Sequence, residues 1–588
     1  MRTPTLQYFY LQKPMTSLIV ISIISIVCWI GVGDFYTKGE PREASVAVSM
    51  IQDNEWILPT VYADEVAFKP PLTHWVMAIL SLPQGEVTPF TSRLPSAIAF
   101  ICLLCFSFVF FGKNLKAQDA LLACLILLTS FELHRSAMTA RVDMVLTFLI
   151  VLGLQRLFRW EERKKLNGFP IAIPIILGFA TLVKGPVGVV LPLLVFGIYL
   201  LLLKYNFLKV VVKLLPIAFA SLILPAIWYV LAYQVGGKEF LDLVYAENFG
   251  RFLGSGDLNI RYELGHEEPF WYNFVTLVTG FIPWTIFLLI SLFGINYSKK
   301  IPGLKSIGRG LLNMPKIKLF SLVASVVIVL FYCIPISKRS VYLMPAYPFI
   351  AVFIAQYVTY LIEYRPKIGR AFGIIIGLLA CLVLLTGVCT VFRWIDPVEI
   401  MSLFSKRERT LNDVAATCQN LNPGFLNITL FLFLGFTLYL LVKNLWKKNN
   451  LKVLYSAIAV YMSLFMVLDG VFLPAFKNGI SVKPWAKHLS HYYPVNEKNI
   501  FVMNDLGEYM NMYGMNFYLG NQFRNFEKEQ PYEGFFLIGQ ENSKKVLQKY
   551  DEKYQFKLLE EYKNQVRDGE KVLQFYHFVN KVYDRREK

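Results

Sequence analysis

Residues 39–72 read GEPREASVAVSMIQDNEWILPTVYADEVAFKPPL. They place Glu40, Arg42, Glu43, Asp53, Glu55, Asp64, Glu65 and Lys69 in a short span of a chain that is otherwise mostly apolar. The stretch follows an apolar run from about Thr16 to Val32. Ionisable groups are expensive beside lipid, so a cluster of them at a membrane face marks a substrate site, an ion path or a proton relay.

Working outward, the composition fits this reading. Of 588 residues, 55% are hydrophobic, 15% aromatic and only 17% charged, with a mean hydropathy of +0.47. Such a chain is a polytopic membrane protein rather than a soluble multi-domain one. The formal charge of +18 would suggest nucleic acid in a soluble protein. Here the basic residues cluster between apolar runs, which points to membrane orientation and excludes a nucleic-acid partner. Seven of the eight cysteines lie in or at the ends of apolar runs and Cys418 stands in a loop, so no disulfide or zinc framework is legible.

The first run has Arg2 and Lys13 ahead of it, approaches spanning length and lacks a small-x-small cleavage site, so it reads as an uncleaved first helix. Further spans are expected over about 94–111, 117–133, 142–158, 169–183, 186–203, 211–234, 274–293, 319–336, 341–362, 371–391, 426–442 and 451–473, about thirteen in all. The apolar stretch 72–82 is about half the length needed to cross a ~30 Å hydrocarbon core. It is therefore expected to lie in the interface with Trp75 as an anchor.

With that count every strongly basic connection falls on one side, including RWEERKK at 159–165 and YRPKIGR at 364–370. The positive-inside rule makes that side cytoplasmic. The fold class expected is thus a polytopic all-α membrane protein of residues 1–473, with a small C-terminal α/β domain at 474–588. The N-terminus is expected in the cytoplasm. In an inner membrane, the 34–93 loop and the C-terminal domain, with strand-like runs NIFVM at 499–503 and GFFLIG at 534–539, fall on the periplasmic face.

Acids and bases from distant parts of the chain converge on that outer face. They are Glu40, Arg42 and Glu43; Arg135, Arg141 and Asp143; Lys184; Glu247, Arg251, His266, Glu267 and Glu268; and Lys338 and Arg339. Several cations with a few carboxylates suit a phosphate-bearing ligand and a general base. Guanidinium forks bind phosphate, and a carboxylate can take a proton from a hydroxyl.

The motifs GEPREA, WILPT, FKPPLTHW, RLPSA, RVDMVLTF, TLVKGPVG, ENFGRF, HEEPFWYN and KRSVYLMPAYPF, in this order, resemble the polyprenyl-phosphate-dependent glycosyltransferases. That family includes the aminoarabinose transferase of lipid A and, more distantly, the protein O-mannosyltransferases. The resemblance covers about residues 16–363 and leaves the C-terminal domain thinly matched. It implies a membrane GT-C fold, a polyprenyl-phosphate-linked sugar as donor, inversion at the anomeric carbon, and a lipid A, envelope glycan or protein acceptor. Arg42 and Lys69 match positions that contact the carrier phosphate in the family, with Arg251 and Tyr342 as secondary candidates. The family's first loop usually carries an Asp-Glu pair whose Asp is the favoured acid or base. Here Gly39 stands at the Asp position, so Glu40, Asp143 and Glu43 are the candidate bases. Phe68 stands where related members often have Glu before Lys-Pro-Pro, which leaves a divalent metal ion as an open question.

Each assignment has a structural counterpart. Glu40 and Arg42 suit capping of a helix expected from about Pro41 to Gln52. Lys69 suits a snorkelling interface lysine, and Asp143 a structural pair with Arg141 or Arg135. His266 reads as a solvated loop histidine, and Phe270, Trp271 and Tyr272 as an interfacial belt. The rival function is a transporter or flippase of a lipid-linked glycan precursor; against it stand the missing internal repeat and the placement of charge in surface loops.

Overall fold

The computed structural model describes residues 13–37, 39–63, 65–67, 69–245, 267–294, 310, 313–495, 498–503, 512–562 and 572–581. The expectations placed on Arg251, Glu247, His266 and Phe68 lie outside the described residues.

Most of the chain is a helical bundle. Its first part runs α1 (Pro14–Val27), α2 (Gly39–Gln52), α3 (Leu72–Ser81), α4 (Pro89–Gly112), α5 (Ala117–Thr129), α6 (Phe131–Ala137), α7 (Asp143–Lys164), α8 (Ala172–Lys184) and α9 (Val187–Leu202). Local chemistry sets several of these bounds. The Thr88 hydroxyl accepts the Thr91 N–H at 3.3 Å while the Thr91 hydroxyl accepts the Thr88 N–H at 3.0 Å, a reciprocal cap that starts α4 beside Pro89. Between α8 and α9, Gly185 takes φ +78 in the turn, and a Cβ at Gly188 would lie 2.5 Å from the backbone of Ala180 and Thr181. Only glycine lets the two helices cross that closely, and the crossing leaves Lys184 at the end of α8.

Seven described helices are long and apolar enough to cross a membrane, or up to nine if two bent pairs each count as one span. The other spans expected from the sequence coincide with the shorter apolar helices α1, α8 and α9 and with α7, whose C-terminal end is charged. At ~1.5 Å per residue the 13 residues of α8 reach only ~20 Å. Length and composition alone therefore do not reproduce the count of thirteen. Exposed side chains on the outer helices are apolar, among them Phe219, Ile223, Leu378, Leu382 and Leu432, as a lipid-facing surface requires.

The bent pairs are α5 with α6, at 67°, and Tyr272–Gly280 with Trp284–Leu292, at 100°. Their breaks meet. Phe131 donates its N–H to the Ile282 carbonyl at 3.1 Å, and the Trp284 indole donates to the Thr129 hydroxyl at 2.8 Å. Each break thus satisfies backbone groups that the other frees, as irregular chain inside a bundle must.

After α2 the chain forms a short hairpin, β1 (Thr60–Val61) against β2 (Glu65–Val66). Near its C-terminus it forms β3 (Ile500–Val502), β4 (Phe523–Asn525), β5 (Glu533–Gly539), β6 (Tyr554–Tyr562) and β7 (Leu573–Asn580). These five make one mixed sheet in the order β4-β3-β5-β7-β6, with β3 parallel to β4 and β5 and the other pairs antiparallel. The bundle and this domain have separate apolar cores. The domain's core also takes in Tyr62 and Ala63 from the hairpin tip. Tyr62 is buried with φ 37 and packs on the rings of Tyr513 and Phe523. Asn521 accepts the Tyr62 N–H and Phe523 accepts the Ala63 N–H. Two successive left-handed non-glycine residues are strained, and here tertiary contacts hold them.

Candidate active site

The charged residues of the first loop divide into two groups one helical turn apart. Glu40, in the first turn of α2, faces inward. Arg93 of α4 donates to both its oxygens, Nε to Oε1 at 2.8 Å and Nη2 to Oε2 at 3.1 Å, and the Ala140 N–H donates to Oε1 at 3.0 Å. The remaining Arg93 donors reach the carbonyls of Ile30, Gly33 and Asp34. Arg93 is 1% exposed and Glu40 4%. Burial works to raise the Glu40 carboxyl, but Arg93, Lys477 and the Ala140 bond outweigh it and bring it down to about 2. The Glu40–Arg93 pair thus ties α4, the segment after α1 and the α6–α7 linker to α2, and both Glu40 oxygens are engaged.

Glu43, one turn later, faces a cleft. Its Oε1 accepts from Lys69 and, at 3.2 Å, from Arg42; its Oε2 lies 2.8 Å from His74 Nε2. The cleft is lined by these four residues with Val46, Val61, Glu65, Val66 and Ala67. Burial opposes the Glu43 charge, yet Lys69, His74 and Arg42 hold its carboxyl well below the usual range. Lys69 is moved the other way. Burial and the nearby Arg42 lower its ammonium to about 8, against the pull of Glu43. Pro70 and Pro71 follow Lys69 and hold it outside α3, whose first turn presents His74.

A second pair stands within electrostatic reach of the first. Asp143, at the first position of α7, accepts from Lys184 Nζ through Oδ1 at 2.5 Å, and among the described residues Oδ2 has no hydrogen-bond partner. Lys184 Nζ lies 4.2 Å from the centroid of the Tyr342 ring, which the short 3-10 helix Ser340–Ala346 presents. The buried Lys338 steadies that turn by donating to the carbonyls of Glu268 at 2.9 Å and Pro335 at 2.8 Å.

The structure thus gathers Arg42, Glu43, Lys69, Asp143, Lys184 and Tyr342 at one end of the bundle. Glu40 stands behind them in the Arg93 clamp. Three cations close to two carboxylates, partly screened from water, can take up an anionic ligand and leave a carboxylate free to accept a proton. Among the described residues, no three His, Cys, Asp or Glu side chains gather as a metal-ion ligand set.

Comparison with known proteins gives similarities of sequence and of fold. Residues 68–229 match the family described as dolichyl-phosphate-mannose-protein mannosyltransferase. A protein of Aquifex aeolicus (strain VF5) with no described activity is 28% identical over 351 residues, covering 58% of this chain and 63% of its own. The undecaprenyl phosphate-alpha-4-amino-4-deoxy-L-arabinose arabinosyl transferase of Wigglesworthia glossinidia brevipalpis is 23% identical over 357 residues, 59% of each chain. The chain spans about three fifths of the length of these curated relatives. In fold, it resembles the crystal structure of ArnT from Cupriavidus metallidurans bound to undecaprenyl phosphate, with a TM-score of 0.67 and 16% identity over 96% of this chain and 98% of that one. In sequence and fold, the chain is thus similar to polyprenyl-phosphate-dependent glycosyltransferases.

The part of the chain matched by the family description holds Lys69, His74, Arg93, Asp143 and Lys184, while Arg42 and Glu43 precede it. Sequence reading gave no role to His74 or Arg93, although both lie in quoted motifs, FKPPLTHW and RLPSA. Nor did it rank the roles of Lys184. A buried arginine in an apolar helix is itself a signal, since such a charge is kept only with a partner. Nothing local pointed to Tyr513 of the C-terminal domain, whose hydroxyl reaches Glu65 in the cleft.

Proposed function

We propose that this chain is a GT-C glycosyltransferase that transfers a sugar from a polyprenyl-phosphate carrier to a hydroxyl of lipid A, another envelope glycan or a protein, at the periplasmic face of the inner membrane and with inversion. The observation that carries the reading is the convergence of Arg42, Lys69 and Lys184 on Glu43 and Asp143 at one end of a membrane bundle. Relatives named as undecaprenyl-phosphate aminoarabinose transferases support the donor class.

In this reading Arg42 and Lys69 bind the carrier phosphate, with Arg251 and Tyr342 as secondary contacts. They balance the negative charge that grows on the phosphate oxygen as its bond to the anomeric carbon breaks. Glu43 sets their positions, since each of its oxygens already holds a cation or the His74 ring. Asp143 is the base, because its second oxygen has no partner among the described residues. The acceptor hydroxyl gives its proton to Asp143 as its oxygen bonds to the anomeric carbon from the opposite face. The phosphate leaves on the carrier, and no covalent enzyme intermediate forms.

Mass spectrometry of envelope lipids, glycoproteins and the polyprenyl-linked sugar pool tests this in cells with the wild-type chain or Arg42→Ala. Loss of one sugar from one acceptor together with accumulation of its polyprenyl-linked donor is expected. Unchanged acceptors with a precursor stranded on the cytoplasmic side would replace transfer by transport.

A further inference from the structure

We infer that Arg141 is a further binding residue for the carrier phosphate, and that Gly39 is glycine because a side chain there would push the Arg141 guanidinium away. This rests on the polyprenyl-phosphate reading and adds a residue to it. A Cβ built at Gly39 would lie 2.9 Å from Arg141 Nη2, 3.6 Å from Cζ and 3.8 Å from Nε, so the guanidinium lies against the start of α2. Gly39 is not among the described residues with positive φ, so what position 39 requires is space and not a left-handed backbone.

The backbone at Arg141 is fixed on three sides. Its N–H donates to the Thr139 carbonyl at 2.9 Å, its carbonyl accepts from the Ser96 hydroxyl at 3.1 Å, and the preceding Ala140 N–H donates to Glu40. The clamp between Glu40 and Arg93 therefore also sets where Arg141 emerges. Arg42, Lys69 and Lys184 each have a carboxylate within 4 Å, but Arg141 has none among the described residues, although it is half-buried and two positions before Asp143. Asp143 is near enough to feel its charge, but a partly desolvated guanidinium with no described carboxylate in contact, beside a cation cluster, stands to gain from an arriving anion. Its planar fork suits two phosphate oxygens.

The test is binding of undecaprenyl phosphate to the purified full-length chain in nanodiscs, for wild type, Arg141→Met, Gly39→Ala, the double variant and Lys69→Ala. Arg141→Met should weaken binding about tenfold or more, the range for a lost charge-assisted bond. Gly39→Ala should weaken it several-fold without unfolding, since its Cβ meets the flexible end of a side chain. The double variant should bind no more weakly than Arg141→Met alone, because the alanine then has no guanidinium to displace. Wild-type affinity in Arg141→Met, or a full Gly39→Ala penalty on top of it, would overturn the inference while Lys69→Ala still failed to bind. No binding by the wild type would overturn the carrier reading, and this inference with it.

Discussion

The Tyr513 hydroxyl donates to Glu65 Oε2 at 2.5 Å, joining the C-terminal domain to a residue that lines the cleft. Burial raises the Glu65 carboxyl, and the Tyr513 bond works against that rise. Removing the hydroxyl in Tyr513→Phe should therefore raise the carboxyl further and loosen the cleft rim. The domain would stay docked, since Tyr62 and Asn521 still pin it and Lys498 reaches Asp53 at 2.5 Å. The expected result is a several-fold rise in KM for the polyprenyl-linked donor with Tm nearly unchanged. Equal kinetics in Tyr513→Phe and wild type would mean that the domain docks on the loop without shaping the site.

Arg93 and Glu40 make a stability prediction with a definite pH sign. The Glu40 carboxyl is brought from 4.5 down to about 2 in the fold, so its contribution is present above pH 4.5 and is lost as pH falls toward 2. In Arg93→Met the same carboxylate is left buried with its main partner gone, at a cost of about 3–5 kcal/mol. Burial then dominates and the carboxyl rises above its unfolded value. Relative to wild type, the variant should gain Tm as pH falls from 7 to 5. Thermal unfolding of the detergent-solubilised chain across that range checks the reversal, and Arg93→Met/Glu40→Gln should recover part of the loss at pH 7.

The two carboxylates of the cleft should separate kinetically. Asp143→Asn keeps the shape and a partner for Lys184 but accepts no proton, so kcat should fall by about 10²–10⁴ with donor binding retained. Glu43→Gln instead loosens Arg42 and Lys69, and its main effect should be on KM for the donor. If Glu43→Gln loses kcat as Asp143→Asn is expected to, and Asp143→Asn does not, the base assignment moves to Glu43.

The membrane bundle was legible because apolar runs of spanning length report burial directly, whatever they pack against. The short helices α8 and α9 were legible as apolar runs although each falls below full spanning length. Within the site, sequence could gather Glu40, Glu43 and Asp143 on one face but could not rank them. Glu40 and Glu43 share one face of α2, three residues apart; what distinguishes them is Arg93, 53 residues beyond Glu40, and Lys69, 26 beyond Glu43. Such pairings are tertiary and leave no local periodicity. Tyr513 lies 448 residues from Glu65, in the part of the chain where motif resemblance is thinnest.

Lys69 should set the alkaline limit of the reaction. Its ammonium is lowered from 10.5 to about 8 by burial and by Arg42, so it is charged at pH 7 and loses its proton as pH rises through 8. The protonated form is the one that binds phosphate. For the free enzyme, kcat/KM for the donor should therefore fall above about pH 8, while Arg42 keeps its charge throughout. In Lys69→Arg the guanidinium stays protonated across the range, so whatever activity remains should lose that alkaline limb. A profile of kcat/KM from pH 6 to 10 for both proteins decides it. An unshifted limb near pH 8 in Lys69→Arg would assign the titration to another group and remove Lys69 from the phosphate contact.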